Sequence, residues 1–489
     1  MWFFHFGLAC KLQKKLDGEF YAIIDVEDKA KKFFMEQKFV SFKKTWFFLD
    51  HIEPDEKTYD EPYLKEFEKK YKVNLWQIIY GDKFFYQQYN QFHKFKYNEI
   101  MSLIYPECKL FEKILEETKP DFLLTFSPIN HYNILLHRMC LNSGITPITL
   151  SHGKLGKKSI ISQMPFIFDS IEIKPQKSIP ENDVEKYFEK YNPFKELMKN
   201  KKDNFDEYKF KRYSSILKFL ASPRTKAHKK RYSNLGKTKT MVILNKFNNF
   251  IQKRRRWNFI EKNSVKDIET ETSFVYFPLH YEPERTLLVD SPYYNDQIAL
   301  IANIAKSLPV KYELFVKDHP MMQTIGWRDP AFYQKIIDLP NVQLIHPNVK
   351  NSEIMKRCSL VMTIAGTPSI EAAFYKKPAI VFTNQFYSLL DSVTTIKKIE
   401  DLPNAIKTAL NTKVELSSLR NFINLYENNS FEFPITDLAS EFAYKFGFKG
   451  AVMDAILEPN EVDAFLKKHD DAFENLAEAH LTKIRSFQK

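Results

Sequence analysis

Glycine is scarce in this chain: only 11 of its 489 residues are glycine, and neither GxGxxG nor GxxxxGK[ST] occurs. These patterns are the usual phosphate-binding loops of dinucleotide-binding and P-loop proteins, so a bound nucleotide must be held in another way. No run approaches about 18 uncharged apolar residues, and we therefore expect no membrane-spanning helix. In the apolar amino terminus the basic residues follow the apolar run, which favours a first buried strand at Trp2–Phe6 over a signal peptide.

Cysteine is equally sparse. The four cysteines lie far apart and form no CxxC pair, so the sequence indicates neither a disulfide framework nor a zinc site. We expect no bound metal or cofactor and a reducing, cytoplasmic setting. The four are Cys10, Cys108, Cys140 and Cys358.

Positive charge is present in excess but is unevenly spread. The chain has 73 Lys or Arg and 61 Asp or Glu, a net charge of +12. Residues 199–262 alone contain 20 basic and 4 acidic residues, a net charge of +16, so the rest of the chain is slightly acidic at −4. Such a segment predicts an anionic partner without choosing its kind.

The remaining pattern predicts two α/β domains, since the length suits two to four domains. In residues 1–180 short apolar runs alternate with amphipathic ones, which is typical of a wound parallel sheet. We predict its strands at 2–6, 20–24, 45–49, 121–126 and 146–150. Residues 181–270 have no strand signal and predict a basic helical connector.

The second α/β domain is predicted at residues 271–415. Its apolar runs are nearly continuous, as expected for parallel strands buried on both faces. They lie at 273–279, 312–317, 342–345, 359–364 and 379–382. Residues 416–489 follow as a helical tail that ends in a helix pair from Pro459.

Polar residues follow the first two strands of this second domain, where open parallel sheets bind ligands. After the first strand come His280, Glu282 and Glu284, a histidine and two carboxylates suited to proton transfer or nucleophilic attack. After the second come His319, followed by proline, and Arg328, both candidates for contacting an anion. A solvated loop and a plain turn histidine are the alternatives at these two places.

The strand at 359–364 runs into a helix through Gly366, and Pro368 lies in the first turn of that helix. A helix start offers amide donors and a positive dipole end, so it can bind a phosphate without a P-loop. We place Glu371 within the first turn. Ordinary capping by Thr367, with Glu371 complementing the helix dipole, is the alternative interpretation. Candidate contacts to the phosphate and the ribose are Thr363, Gly366, Thr367, Ser369 and Glu371, and residues 382–387 could complete the pocket.

The order of these segments resembles the capsular-polysaccharide biosynthesis glycosyltransferases, the family that includes the Kdo transferases of capsule assembly. FPLHYEPERT, KDHP with GWR, TIAGTPSIEA, and KPAIVF with FY carry the resemblance, between residues 274 and 387. It implies a GT-B fold of two facing Rossmann-like domains, the donor nucleotide in the second, and a reaction without a metal.

The resemblance also implies residue roles. Glu284 stands at the catalytic acidic position, and His319 contacts the donor phosphate or nucleotide. The phosphate is held at the helix start and the ribose by Glu371; the phosphate contacts are Thr363, Thr367 and Ser369. The predicted function is transfer of an acidic sugar from a CMP donor onto a lipid-linked or growing glycan. The alternatives are a nonhydrolysing UDP-sugar 2-epimerase and a catalytically silent scaffold of the same fold.

The basic connector permits three interpretations: a solvated linker, a nucleic-acid site or a membrane-surface patch. No RRM, KH or zinc signature accompanies it, so nucleic acid is not the predicted partner. A patch at the inner face of the cell membrane fits a lipid-linked acceptor, because each basic residue near an anionic leaflet contributes about 1 kcal/mol. The patch residues are Lys229, Lys230, Arg231, Lys253, Arg254, Arg255 and Arg256, with Trp257 at the interface.

Overall fold

The computed structural model describes residues 3–52, 59–171, 184–191, 230–268, 272–325, 327–447 and 455–488. The strands are β1 (Tyr21–Ile24), β2 (Lys44–Phe47), β3 (Phe122–Phe126), β4 (Thr146–His152), β5 (Lys158–Ser162), β6 (Ser273–Pro278), β7 (Tyr312–Lys317), β8 (Val342–Ile345), β9 (Leu360–Thr363), β10 (Ala379–Val381), β11 (Val393–Thr395) and β12 (Ser430–Glu432).

Helices flank these strands along the whole described chain. They are α1 (Phe3–Leu12), α2 (Asp28–Glu36), α3 (Phe48–His51), α4 (Glu61–Tyr71), α5 (Leu75–Ile79), α6 (Tyr97–Thr118), α7 (His131–Asn142), α8 (Val184–Tyr191), α9 (Lys239–Asn263), α10 (Gln297–Ser307), α11 (Met322–Ile325), α12 (Pro330–Ile337), α13 (Asn351–Arg357), α14 (Thr367–Phe374), α15 (Leu402–Leu410), α16 (Leu416–Asn428), α17 (Ile435–Phe442), α18 (Pro459–Lys468) and α19 (Asp470–Phe487).

The sheet of the second half has six parallel strands in the order β11-β10-β9-β6-β7-β8. Numbered within this half, that is the common doubly wound order 3-2-1-4-5-6. In this order the first three strands extend the sheet to one side and the last three to the other, so the strand order reverses between the first and fourth strands. Here those strands are β6 and β9, which pair directly. All five strands predicted for this half are confirmed, whereas β11 was not predicted.

Both faces of this sheet are buried, which explains why its strands read as continuous apolar runs. Side chains alternate between two cores along each strand. Phe274, Tyr276, Phe315, Val361 and Val381 face one core, and Val275, Phe277, Leu314, Val316, Met362 and Ile380 face the other.

The first half is α/β as predicted but has two sheets. β1 and β2 form a parallel pair, and a four-stranded sheet has the order β12-β5-β4-β3. Within it β3 and β4 are parallel, whereas β5 runs antiparallel to both of its neighbours. The strands predicted at 20–24, 45–49, 121–126 and 146–150 are confirmed.

The strand predicted at Trp2–Phe6 is wrong, because Phe3–Leu12 form helix α1. This helix is buried on almost every side, so it lacks the polar face that would reveal a helical period, and a short apolar run cannot be assigned by periodicity alone. It packs against α19 so closely that a Cβ on Gly7 would lie 2.3 Å from the Phe473 ring.

The carboxy-terminal segment returns to the first half of the chain. The predicted helix pair from Pro459 is confirmed as α18 and α19. The tail also holds a strand that was not predicted, β12, which pairs with β5. Ion pairs of Lys11 with Asp470 and of Lys15 with Glu478 join α1 to α19.

The predicted connector is described at residues 184–191 and 230–268, and the rest of it lies outside the described residues. At its start, Val184 and Tyr187 of α8 belong to a core shared with the six-stranded sheet. At its end, Val265 bridges Ile345 of β8. No helix in the described part of the chain combines the length and the hydropathy needed to cross a membrane.

A buried histidine at the start of α7 holds two carboxylates in the core of the first half. Nδ1 of His131 lies 3.0 Å from Asp82 and Nε2 lies 2.9 Å from Glu107. Burial alone would lower the pKa of His131, but the charges and hydrogen bonds of these two carboxylates raise it to about 10. Tyr232 also donates to Asp82, over 2.6 Å. The charged histidine and its two carboxylates therefore join α6, α7 and Tyr232 in one buried network.

We predict that His131→Gln destabilises the protein in a pH-dependent way. The pKa is raised above its ordinary 6.5, so the histidine's contribution is fully present below that pH and is lost as pH rises through about 10. The deficit against wild type should reach about 3–5 kcal/mol near pH 6, because two buried carboxylates lose their cation, and should shrink toward pH 10.

Thermal unfolding of both proteins from pH 6 to pH 10 measures this difference. His137→Gln is the control, because burial lowers the pKa of His137 to about 4 and that ring is neutral throughout the range. A deficit for His131→Gln that stays constant with pH would contradict a charged histidine.

Candidate active site

The candidate site lies at the carboxyl ends of β6 and β9, the point at which the six-stranded sheet reverses its winding. His280, two residues after β6, joins the two ends. Its Nε2 accepts from the amide of Ala365 over 3.3 Å and lies 3.2 Å from Thr363 Oγ1. Because Nε2 accepts, the ring proton is assigned to Nδ1.

The protonated nitrogen of His280 faces Glu284, with Nδ1 3.3 Å from Oε2. The backbone of His280 is held as well: its amide donates to Gln297 Oε1 over 2.8 Å, and its carbonyl accepts from Arg328. Thr286 Oγ1 donates to the other oxygen of Glu284 over 3.2 Å. His280 thus positions Glu284, since both of its ring nitrogens are already engaged.

Glu284 is ionised at neutral pH. Burial would raise its pKa, but the hydrogen bond from His280, together with nearby positive charge such as that of Lys154, lowers the pKa of Glu284 to about 2. The side chain keeps about a third of its surface exposed. A carboxylate of this kind is suited to act as a base or a nucleophile and not as an acid.

Glu282 is built into a different network. It accepts from Gln297 Nε2 and lies 3.3 Å from Arg328 Nη1. Arg328 is buried, its Nε is 3.5 Å from Asp318, and Tyr333 donates to that aspartate. Burial raises the pKa of Glu282, while Arg328 opposes the shift. Glu282 is thus paired with Arg328, whereas Glu284 is paired with His280.

His319 lies beside this network and is only partly exposed. Burial lowers its pKa to about 4, with Glu284 opposing the shift, so the ring is neutral at pH 7. Its Nδ1 accepts from the Met321 amide over 3.1 Å, which places the ring proton on Nε2. A neutral His319 can therefore donate one hydrogen bond to a phosphate oxygen.

The start of α14 offers fewer free donors than the sequence suggested. Gly366, and not Thr367, is the residue before the helix, and its amide donates to the Tyr387 hydroxyl over 2.7 Å. Ser369 is buried and its hydroxyl donates to the Gly366 carbonyl over 2.8 Å. Pro368 has no amide hydrogen, so among the described residues the Thr367 amide and hydroxyl are the groups left to meet a phosphate here.

Glu371 lies deeper than predicted. It is the fifth residue of α14, in the second turn and not the first, and it is buried. Burial raises its pKa to about 7, and the charge of Lys317 opposes the shift. Lys317 in turn donates to the Val349 carbonyl over 2.5 Å and to Asn351 over 2.6 Å.

The first half of the chain closes one side of the site. Arg285 donates to the Pro128 carbonyl over 2.7 Å and to Asp290 over 2.6 Å. Phe166 lies between two cations, 5.3 Å from the Arg285 guanidinium and 4.8 Å from Lys154 Nζ. The candidate carboxylate Glu284 therefore lies where the two α/β units meet.

Three residues of this site were missed from the sequence: Lys154, Asp290 and Gln297. Tyr387 lies in the segment 382–387 predicted to complete the pocket, but its contact with the Gly366 amide was not predicted. Gln297 is buried and its partners lie on another segment, so no local spacing marks it, whereas Lys154 follows a strand as the predicted site residues do.

The predicted basic patch is only partly exposed. Lys229 lies outside the described residues, and Lys230 lines a crevice beside Asp25. Arg231 forms hydrogen bonds of 2.8 and 3.1 Å with Asp25 and is mostly buried. The side chain of Arg231 is therefore held by Asp25 and does not face outward, as the sequence had suggested it would.

The second cluster of the patch is divided as well. Lys253, Arg254 and Arg255 are exposed, but Arg256 is half-buried and donates to the Trp327 carbonyl over 3.1 Å. Trp257, predicted to lie at the membrane interface, is half-buried, and its ring packs 5.9 Å from the ring of Trp327. In the described part of the chain, no three His, Cys, Asp or Glu side chains gather as metal ligands do.

Two α/β units that meet at the carboxyl ends of a doubly wound sheet form a fold of the GT-B type, as predicted. A family model described as capsule polysaccharide biosynthesis protein matches residues 168–415, about half of the chain. The chain belongs to this family, which confirms the resemblance seen in the motifs.

Comparison with solved structures finds the β-Kdo 2,7 transferase KpsC of Thermosulfurimonas dismutans, at 11% identity and a TM-score of 0.34, covering 83% of this chain and 89% of that one. The UDP-GlcNAc 2-epimerase of Methanocaldococcus jannaschii matches at 11% identity and a TM-score of 0.23, covering 84% and 100%. Anabaena Alr3699/HepE in complex with UDP matches at 18% identity and 0.23, covering 35% and 49%. No curated protein matches the chain.

We predict that Gly366→Ala destabilises the protein and weakens the site. Gly366 has φ of +104°, a region that L residues rarely adopt, whereas an added Cβ would only touch Pro368 at 3.7 Å and His280 at 3.9 Å. The cost is therefore backbone strain of about 1–3 kcal/mol. Gly18→Ala is the control, because that Cβ meets nothing within 4 Å. Equal thermal stabilities of the two variants would contradict the strained turn.

Proposed function

We propose that this member of the capsule polysaccharide biosynthesis family transfers an acidic sugar from a CMP donor to a lipid-linked or growing glycan, without a metal. The observation that carries the proposal is Glu284. It is ionised, it is aligned by His280, and it lies between the two α/β units at the carboxyl ends of β6 and β9.

Glu284 acts on the acceptor or on the sugar. As a general base it removes the proton of the acceptor hydroxyl in an inverting transfer; as a nucleophile it forms a glycosyl-enzyme bond in a retaining one. The low pKa of Glu284, set against burial by the hydrogen bond from His280, keeps it in the form that both routes need. His280 serves as the positioning residue.

The departing nucleotide is met by neutral donors. His319 offers its Nε2 hydrogen, and the start of α14 offers the amide and hydroxyl of Thr367, with the dipole of the helix behind them. Such fixed donors stabilise the charge that develops on the phosphate as the sugar leaves. Lys154, whose charge lowers the pKa of Glu284, is placed to pair with the carboxylate of an acidic sugar.

We place the enzyme at the inner face of the cell membrane, where a lipid-linked acceptor is presented. Support comes from the exposed Lys253, Arg254 and Arg255 at the carboxy-terminal part of α9. Near an anionic leaflet, each such residue contributes about 1 kcal/mol to binding.

Glu284→Gln should abolish measurable transfer, a loss of about 10²-fold or more, and leave nucleotide binding intact by calorimetry. The amide can still accept from His280, so the site keeps its shape but loses its base. Glu313→Gln is the matched control: Glu313 is a partly buried glutamate of β7, and it accepts from Gln343 over 2.5 Å. Full activity of Glu284→Gln would overturn the assignment.

Incubation of the protein with a panel of nucleotide sugars tests the reaction class. We expect release of free CMP from a CMP-linked acidic sugar, accelerated by glycan acceptors. Interconversion of a UDP-sugar without release would instead identify an epimerase, and no turnover with nucleotide bound would identify a silent scaffold. Either of these two results would overturn the proposed function.

A further inference from the structure

Between residues 245 and 256, helix α9 turns a polar face toward the protein. Asn245, Asn249, Gln252 and Arg256 are half-buried along it and recur every three or four residues. Asn245 donates to Gln91 of the first half, Asn249 donates to Asn245 over 2.7 Å, and Arg256 donates to the Trp327 carbonyl. The helix thus rests on both halves of the molecule through hydrogen bonds.

The opposite face of α9 is apolar and exposed. At about 100° per residue its side chains fall in a stripe roughly 120° wide, centred opposite the polar contacts. Phe247 and Phe250 are 64% and 76% exposed. The stripe consists of Ile243, Leu244, Phe247, Phe250 and Ile251, and we call these residues the apolar stripe.

This arrangement reverses that of a surface helix in a water-soluble protein, where the apolar face meets the core. A continuous exposed patch of large apolar side chains marks a site where a protein or a membrane binds. Fold stability gives no reason for the stripe, since these side chains are exposed and the contacts holding α9 come from its other face.

Charge decides between the two occupants. Lys253, Arg254 and Arg255 are exposed at the carboxy-terminal end of the stripe, and α9 as a whole has seven basic residues and one acidic residue. A second copy docked on the stripe about a twofold axis would bring two basic helices together, which is repulsive. An anionic bilayer instead attracts the cations and accepts the apolar side chains.

We propose that α9 lies in the surface of an anionic membrane, with Phe247 and Phe250 inserted among the acyl chains and Lys253, Arg254 and Arg255 at the headgroups. The membrane location is taken from the proposed function, but insertion of the apolar stripe is a separate property. Because α9 contacts both halves, this docking also fixes the direction in which the cleft faces the membrane.

Vesicle sedimentation of the full-length protein tests the proposal, with phosphatidylcholine vesicles containing or lacking phosphatidylglycerol. We expect binding to the anionic vesicles, and a weakening of roughly tenfold or more for Phe247→Ser/Phe250→Ser. The control, Met35→Ser/Val310→Ser, removes two apolar side chains that are 68% and 106% exposed elsewhere, and it should bind as wild type does.

Salt separates insertion from simple attraction. At about 1 M salt the Debye length falls to about 3 Å, so Lys253→Gln/Arg254→Gln/Arg255→Gln and wild type should converge on the same residual binding. The Phe247→Ser/Phe250→Ser protein should lose this remaining, salt-resistant binding.

Two results would overturn the proposal. One is equal vesicle binding by wild type and the phenylalanine variant at both salt concentrations. The other is a dimer in light scattering that the phenylalanine variant converts to a monomer, which would make the stripe a self-association surface. CMP release on a soluble acceptor, measured with the same proteins, reports on the proposed function independently.

Discussion

The contact of His280 with Thr363 and Ala365 is the interaction on which the site depends. It joins the carboxyl ends of β6 and β9, at Pro278 and Thr363, which are 85 residues apart along the chain although the two strands lie side by side in the sheet. Doubly wound sheets open a crevice where their winding reverses, and there side chains must supply the links that the backbone does not. The imidazole supplies one, and its other nitrogen is thereby aimed at Glu284.

The pKa values of the acidic residues around this link are shifted in opposite directions. Burial raises the pKa of Glu282, Asp318 and Glu371, whereas the histidine's hydrogen bond holds the pKa of Glu284 at about 2. Groups whose environments separate their pKa values in this way take different roles. Glu284 alone among these four is both ionised and open to the cleft, and Glu282 is locked against Arg328 and Gln297.

The sequence predicted what depends on local pattern and on strand direction. His280, Glu284, His319 and Thr363 were expected together because each lies at or beyond the carboxyl end of a buried parallel strand, and the structure brings them to one edge. Strands β11 (VTT) and β12 (SFE) were missed, since they are short and lack the continuous apolar run that marked β10 (AIV). Gln297 was missed because its partners lie around residue 280, and Glu371 was placed one turn too early because the helix start was not fixed by pattern alone.

Helices α1 and α9 show how the same signal can mislead in opposite directions. Both contain many large apolar residues, yet α1 is buried on nearly all sides and α9 exposes its apolar side chains. In α9 the many lysines and arginines dominated the sequence pattern. The sequence analysis therefore predicted a basic patch and missed the apolar stripe. A helical wheel drawn without the structure does not decide which face of the helix is turned toward the protein, because amphipathicity alone does not show this. The contacts of Asn245 with Gln91 and of Asn249 with Asn245 decide this for residues 243–256: the polar face is turned inward, and the apolar stripe is turned outward.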